Sequence, residues 1–257
     1  AQSPPVKLAF EVSPAVQAHI EAAEKAYDAV CGSVDHHCDE VPGFHAEYIK
    51  SKGLGLDGVC QMTFQLAHYK LYGYSASTYE SANQSAYKHG RTETIRSCTT
   101  DSHEMCKAFA NPASSKADKV AALKKAVKTH GGNTKNALMG KGWDRHMFAL
   151  KYEAQKQGLE LPTIYQDKSY AKLSEIILST STLASPHISG GGFGPVGPNC
   201  YGLGYTTGEL RGIFDPALAG QMGFGMACMT YKGKSRQMVE AVHQTIDELF
   251  DVLGPKE

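Results

Sequence analysis

Apolar residues recur at helical spacing in several stretches of the chain. After Ser13-Pro14, an N-cap followed by proline at the first helical position, Val16, Ile20, Ala23, Tyr27 and Val30 mark one face, and Gly32 is expected to stop the helix. Gly53 and Gly55 break the chain before a second helix, in which Val59, Met62, Leu66 and Tyr69 share a face and Gly73 closes the element. Residues 101–158 read as helical. There Val120, Leu123 and Val127 form a stripe, Gly131-Gly132 is expected to separate it from the next segment, and a helix over 143–157 ends at Gly158. The last helix is the clearest: Val239, Val242, Ile246, Leu249, Phe250 and Leu253 make an amphipathic face over 235–253.

Other stretches lack that period. Residues 1–10 read as an extended lead-in, and the polar, His-rich residues 33–45 can hold a strand. Residues 74–100 are rich in Ser and Thr and read as strands and site loops. From 176 the texture changes: Ile176-Ile177-Leu178 runs into Ser179-Thr180-Ser181-Thr182 as a strand, and 201–205 and 222–231 read as two more. Residues 206–221 read as an irregular excursion, and 190–194 hold too much glycine for a helix. Helices early, strands and a closing helix late: the order predicts an α/β fold of α+β two-layer type, a mixed sheet packed with helices. No repeat and no composition shift marks a boundary, so residues 1–257 are read as one domain.

Composition narrows the function. The 257 residues balance 26 Lys+Arg against 26 Asp+Glu, which argues against a nucleic-acid partner held by a cationic face. Apolar runs of only a few residues exclude a membrane-spanning helix, and the start shows no secretory signal. The chain opens on Ala1 rather than Met, as expected of a processed product or a piece of something longer. Seven cysteines, odd in number and without a C-x-x-C pair, favour an intracellular protein over a disulfide scaffold or zinc ribbon. His36-His37-Cys38 has the residue types of a metal site, but no second ligand pair stands at metal spacing, so no metal is expected.

Three polar clusters are candidates for chemistry. On a strand over 91–96, Thr92, Thr94 and Arg96 share a face that can hold a carboxylate or phosphate, or can simply be an exposed sheet face with cross-strand Thr pairs. In Trp143-Asp144-Arg145-His146, one polar group is expected to face inward; Arg145 is either an anion anchor or one member of a solvated Asp–Arg pair. In 179–182 a hydroxyl can stabilise developing negative charge or can be an edge-strand residue, and no G-x-S-x-G marks a nucleophile elbow. The glycines at 190–194 match no phosphate-loop pattern and instead allow close approach of backbone or ligand.

Taken in order, Thr78-Tyr79-Glu80-Ser81, the run from His89 to Arg96, Asp144-Arg145-His146, Leu178-Ser179-Thr180-Ser181 and Phe193-Gly194-Pro195-Val196 closely resemble the carnitine/choline O-acyltransferase family. The resemblance covers nearly the whole chain, most weakly at 1–45 and 206–230, and within the family it looks most like the C-terminal portion of the mitochondrial long-chain member. It implies a CoA-dependent, chloramphenicol acetyltransferase-like domain. It further implies transfer of a long-chain acyl group between coenzyme A and L-carnitine in fatty-acid metabolism and transport, without a covalently bound cofactor. The family's roles fall on Tyr79, Ser81, Thr92 and Arg145 for carnitine and its carboxylate. Phe193 and Val196 match the wall near the trimethylammonium group, and Ser181 the oxyanion of the tetrahedral intermediate. Lys50 and Asp57 match coenzyme A positions, with Lys52 as an extra candidate; a second family lysine falls at Ala46. At Gly191 short-chain members carry a bulky residue that blocks the acyl groove, so glycine there implies a long acyl chain.

One departure stands out. The family's catalytic base is a histidine in H-x-x-x-D-G, and none of the eleven histidines here stands in that pattern. The base is expected upstream of residue 1, in an N-terminal acyltransferase domain, and this chain alone is expected to be inactive. The alternative is a non-catalytic binding or assembly half that needs a separate N-terminal half. Smaller departures are Asn199-Cys200, where the family favours Asp-Gly, and the excursion at 206–221. By resemblance the protein is expected in mitochondria, on the matrix side of the inner membrane, with any peripheral membrane contact made through the other half.

Overall fold

Most of the predicted elements form, in the predicted order. The computed structural model describes residues 4–182, 187–188, 190–213 and 215–254. It divides into two compact units, one up to Val34 and one from Asp35 onward.

The first unit is built on helix α1 (Pro14–Ser33). Ser13 caps it, its hydroxyl accepting from the amide of Val16 at 3.3 Å, and proline occupies the first turn as expected. Gly32 does not end the helix, which runs one residue further.

The second unit is a six-stranded mixed sheet with helices against it. Strands β1 (Asp35–Pro42), β2 (Thr78–Asn83), β3 (Thr92–Ile95), β4 (Leu178–Thr182), β5 (Tyr201–Glu209) and β6 (Met222–Thr230) lie in the order β1-β6-β5-β4-β2-β3. β4 is parallel to both β2 and β5; the other pairings are antiparallel. Helices α2 (Ala46–Ser51), α3 (Leu56–Tyr72), α4 (Thr100–Ala110), α5 (Lys116–Leu138), α6 (Asp144–Lys156), α7 (Lys168–Ser174) and α8 (Ser235–Leu253) complete it. The core lies where α3 and α8 meet the sheet, with Phe44, Phe64, Leu66, Leu178, Leu203, Phe224, Val242 and Ile246 all excluded from solvent. Among the described residues, no helix is long and apolar enough to cross a membrane.

Helix α3 departs from a simple amphipathic pattern, because Gly58 through His68 are buried without a break. Two of its buried glutamines bond to groups outside the helix. The Gln61 amide donates to Thr180 Oγ1 at 3.0 Å and accepts from Ser97 Oγ at 2.9 Å, and Gln65 donates to the Ala76 carbonyl at 2.9 Å.

Two further expectations need correction. Gly131-Gly132 makes no break: α5 runs through both for 23 residues. Each glycine disfavours a helix by about 1 kcal/mol, too little to outweigh the buried Val127, His130 and Ala137 around them. Nothing stands within 4 Å of a Cβ added at either position, and Gly131 and Gly132 are both exposed. Gly131→Ala and Gly132→Ala are therefore each expected to raise stability by about 0.5–1 kcal/mol, additive in a urea melt. Secondly, the excursion begins late, since β5 continues to Glu209 paired with Met222. The Glu40 carboxylate pins the chain just past β5, accepting from the amides of Arg211 at 3.1 Å and Ile213 at 3.0 Å. Between α6 and β4 the chain forms a 3-10 turn (Thr163–Gln166) and α7.

Candidate functional site

Strand alternation divides the sheet into two chemically different faces. Toward the helices point Thr78, Glu80 and Ala82 of β2, all buried; Tyr79 and Ser81 point the other way. Cross-strand pairing places Thr94 opposite Ser81 and Thr92 opposite Asn83, so both threonines share the Tyr79 face. Tyr79 pairs with Ser179 of β4, and Ser181 lies two residues further along the same face, opposite Gly204 of β5. One face of three adjacent strands thus carries the hydroxyls of Tyr79, Ser81, Thr92 and Ser181.

Arg145 reaches this face from the first turn of α6. Its guanidinium donates to Tyr79 Oη at 2.7 Å and to the Thr92 carbonyl at 3.4 Å, and lies 5.5 Å from the centre of the Tyr79 ring. A tyrosine oxygen that accepts from a cation presents its own proton to the open side. Guanidinium, phenol and the exposed threonine and serine hydroxyls together make a pocket edge suited to a carboxylate.

The Arg96 reading is corrected. Arg96 stands directly after β3, and its charge is engaged: Nε and Nη2 donate to the Asp144 carboxylate at 2.8 and 2.7 Å. Both side chains are 16% exposed, so the inward-facing member of Asp144-Arg145-His146 is Asp144, while Arg145 lies on the surface against Tyr79.

The glycine run crosses the same face. A Cβ at Gly202 would stand 2.5 Å from the Phe193 carbonyl oxygen, and one at Gly204 2.6 Å from that of Gly191. Side chains on β5 are therefore excluded where the 191–194 backbone lies on it. Gly191 and Gly192 line a cavity of about 320 Å³ with Cys38, Ala227, Met229 and Ile213. Phe193 and Val196 do not line it; Phe193 is half-buried and Val196 exposed.

On the helix side, Asp57 in the first turn of α3 accepts from Tyr205 Oη at 2.6 Å and lies 3.0 Å from His130 Nε2. Burial opposes its charge, but the bonds from His130 and Tyr205 outweigh it and hold the carboxyl below its ordinary range. Glu80, 8% exposed, sits 3.6 Å from the same His130 nitrogen. Burial first, and the neighbouring Asp57 charge second, push its pKa up to about 9, so it is protonated at neutral pH. Asp57, Glu80 and His130 also offer three ligand atoms within 4.8 Å of one another. Lys50 and Lys52 sit at the end of α2, Lys52 with its ammonium 5.2 Å from the Tyr48 ring centre. The turn after them needs Gly53, whose φ of 72° closes α2 before α3 begins.

The structure therefore brings Tyr79, Thr92 and Arg145 into contact and sets Ser81 and Ser181 on their face. It sets Asp57 behind the sheet and the lysines on a separate helix. Sequence reasoning missed Glu93. This buried residue accepts from the amides of Thr94 at 2.6 Å and Arg145 at 3.3 Å, and its one visible signal was a carboxylate between two threonines in a short strand.

A family model described as choline/carnitine O-acyltransferase matches residues 1–214. The chain belongs to the choline/carnitine O-acyltransferase family. Among individual relatives, carnitine O-palmitoyltransferase 2, mitochondrial, of Xenopus tropicalis is 39% identical over 253 residues, which is 97% of this chain and 37% of that protein. The Homo sapiens protein of the same name is 34% identical over 253 residues, again 97% of this chain and 37% of that protein. Carnitine O-acetyltransferase of Homo sapiens is 36% identical over 207 residues, 80% of this chain and 33% of that protein. The chain thus spans about a third of the length of these relatives. Among solved structures, the cubic core of the pyruvate dehydrogenase multienzyme complex aligns at a TM-score of 0.39 and 12% identity, covering 99% of this chain and 100% of that one.

Proposed function

We propose that this chain is the carnitine-binding portion of a mitochondrial carnitine O-acyltransferase that moves long-chain acyl groups between coenzyme A and L-carnitine. The observation that carries the reading is the Arg145 guanidinium held 2.7 Å from Tyr79 Oη on the sheet face that also bears Ser81, Thr92 and Ser181. In this reading Arg145 and Tyr79 hold the carnitine carboxylate, with Ser81 and Thr92 completing its hydrogen bonds. Phe193 and Val196 face the trimethylammonium group, for which an apolar, aromatic wall suits a weakly hydrated cation.

A histidine supplied by a partner domain takes the proton of the attacking carnitine hydroxyl or, in reverse, of the coenzyme A thiol. As the thioester carbonyl becomes tetrahedral, the Ser181 hydroxyl donates to its oxygen. Collapse expels the other group, which recovers the proton, and no acyl group becomes attached to the protein. Lys50, Lys52 and Asp57 serve coenzyme A. The cavity beside Gly191 takes the acyl tail, its apolar lining by Ala227, Met229 and Ile213 favouring a long chain. The location proposed is the matrix side of the inner membrane.

The chain is expected to bind L-carnitine in a calorimetric titration, and Arg145→Gln to weaken that binding by about 10-fold or more, the scale of one charged hydrogen bond. Acyl transfer is expected only when the chain is combined with an acyltransferase half carrying an H-x-x-x-D-G histidine, faster with palmitoyl-CoA than with acetyl-CoA. Absence of both carnitine binding and restored transfer would overturn the reading.

A further inference from the structure

Helix α6 carries Arg145, yet none of its residues is buried. Phe148, Leu150 and Tyr152 are all about half exposed or more, at 61%, 49% and 56%, so apolar packing does not fix its position. Nor does a local cap: Trp143 precedes it without a side-chain hydrogen bond to the first turn. Two ties, one from strand β3 and one from the residue directly after it, take the place of both. The Glu93 carboxylate accepts from the Arg145 amide at 3.3 Å, capping the helix from a distant strand. Arg96 grips Asp144, the first residue of α6, through two nitrogens, and its Nη1 also donates to the Thr78 carbonyl of β2 at 3.3 Å. Gly142 shows how close the approach is, since a Cβ there would stand 2.3 Å from Glu93 Cγ.

We infer that Arg96 and Glu93 are positioning residues for Arg145. Together with Asp144 they clamp the start of α6 to the edge of the sheet, so that the guanidinium is set over Tyr79 and Thr92 before any ligand arrives. The inference rests on the carnitine reading of Arg145. Its physical content is preorganisation: without the clamp, each binding event must order the helix as well as the side chain. Because Arg96 also holds β2 through Thr78, the clamp sets α6 against the strand that bears Tyr79.

Trp143, the single tryptophan of the chain, stands at the N-cap of α6 and is 47% exposed, so it reports on this junction directly. The test compares Arg96→Gln, Asp144→Asn and Arg145→Gln in the 257-residue chain, each first shown to melt cooperatively. In Arg96→Gln and Asp144→Asn, acrylamide quenching of Trp143 is expected to rise about twofold. L-carnitine affinity is expected to fall about 10-fold, and affinity for coenzyme A to hold within about twofold. Asp144→Glu is expected to recover some of the carnitine affinity. Arg145→Gln is expected to lose carnitine affinity with Trp143 quenching unchanged. Unchanged quenching in both clamp variants overturns the inference. So does intact carnitine binding in them when Arg145→Gln has lost it. Intact binding in Arg145→Gln itself overturns the carnitine reading instead, whatever the quenching shows. Should Arg96→Gln fail to fold, the nearly isosteric Asp144→Asn carries the same comparison.

Discussion

Glu80→Gln is expected to match the parent protein in stability near pH 5 and to exceed it by about 2 kcal/mol or more at pH 8. In the folded protein Glu80 titrates at about 9, chiefly because burial disfavours its charge and secondly because Asp57 is close by. In the unfolded chain it returns to the ordinary carboxyl range. Between those two values the native state holds a proton that the unfolded state has released. Stability from this group is therefore full below the unfolded value and falls as pH rises toward 9, by at most about 1.4 kcal/mol per pH unit. Glutamine has nearly the same shape and nothing to titrate, so its curve is flatter over that window. Asp57 acts in the opposite sense, since its lowered carboxyl contributes above the unfolded value and loses that contribution only in acid. The two slopes thus occupy different ranges and can be separated. Urea melts of both proteins at pH 5, 6, 7 and 8 decide the matter; parallel curves would show that Glu80 is ionised in the fold.

Gly204→Ala is expected to destabilise by about 1–3 kcal/mol, although alanine normally improves on glycine in an ordered position. The added methyl would stand 2.6 Å from the Gly191 carbonyl oxygen and 3.2 Å from Gly192 Cα. Both are backbone atoms, with no side-chain rotamer to relieve the contact. Either the 191–194 backbone lifts off the sheet or β5 bends, and each reshapes the cavity that Gly191 and Gly192 line. Gly194→Ala is the control, because nothing stands within 4 Å of a Cβ there, and it is expected to change stability by about 0.5 kcal/mol or less. A thermal melt in which the two variants coincide would mean that the loop yields freely.

The fold was largely legible because its signals are local. The 235–253 helix and the strand at 178–182 were visible in apolar period and β-branched content alone. Gly131-Gly132 misled because propensity is a weak force beside packing, and packing was not visible. The site was less legible. Hydroxyls alternating in Thr-x-Thr and Tyr-x-Ser announce a polar sheet face, but which arginine would meet it depends on long-range placement. Arg96, two residues past Thr94, is engaged by Asp144; Arg145, dozens of residues away, occupies the face instead. The cluster of Asp57, Glu80 and His130 joins a helix start, a strand and a helix interior, and no spacing rule connects them.

Gln61 is fully buried, and its amide is satisfied from several elements at once: Ser97 donates to its oxygen, while Thr180 and Tyr205 accept from its nitrogen. Thr180 in turn donates to the Tyr79 carbonyl at 3.2 Å. Slipping β4 by a single residue would turn Thr180 to the opposite face and take one of that amide's two acceptors away. A single buried glutamine thus acts as an alignment pin, tying the sideways register of the central strands to the rotation of the helix beneath them.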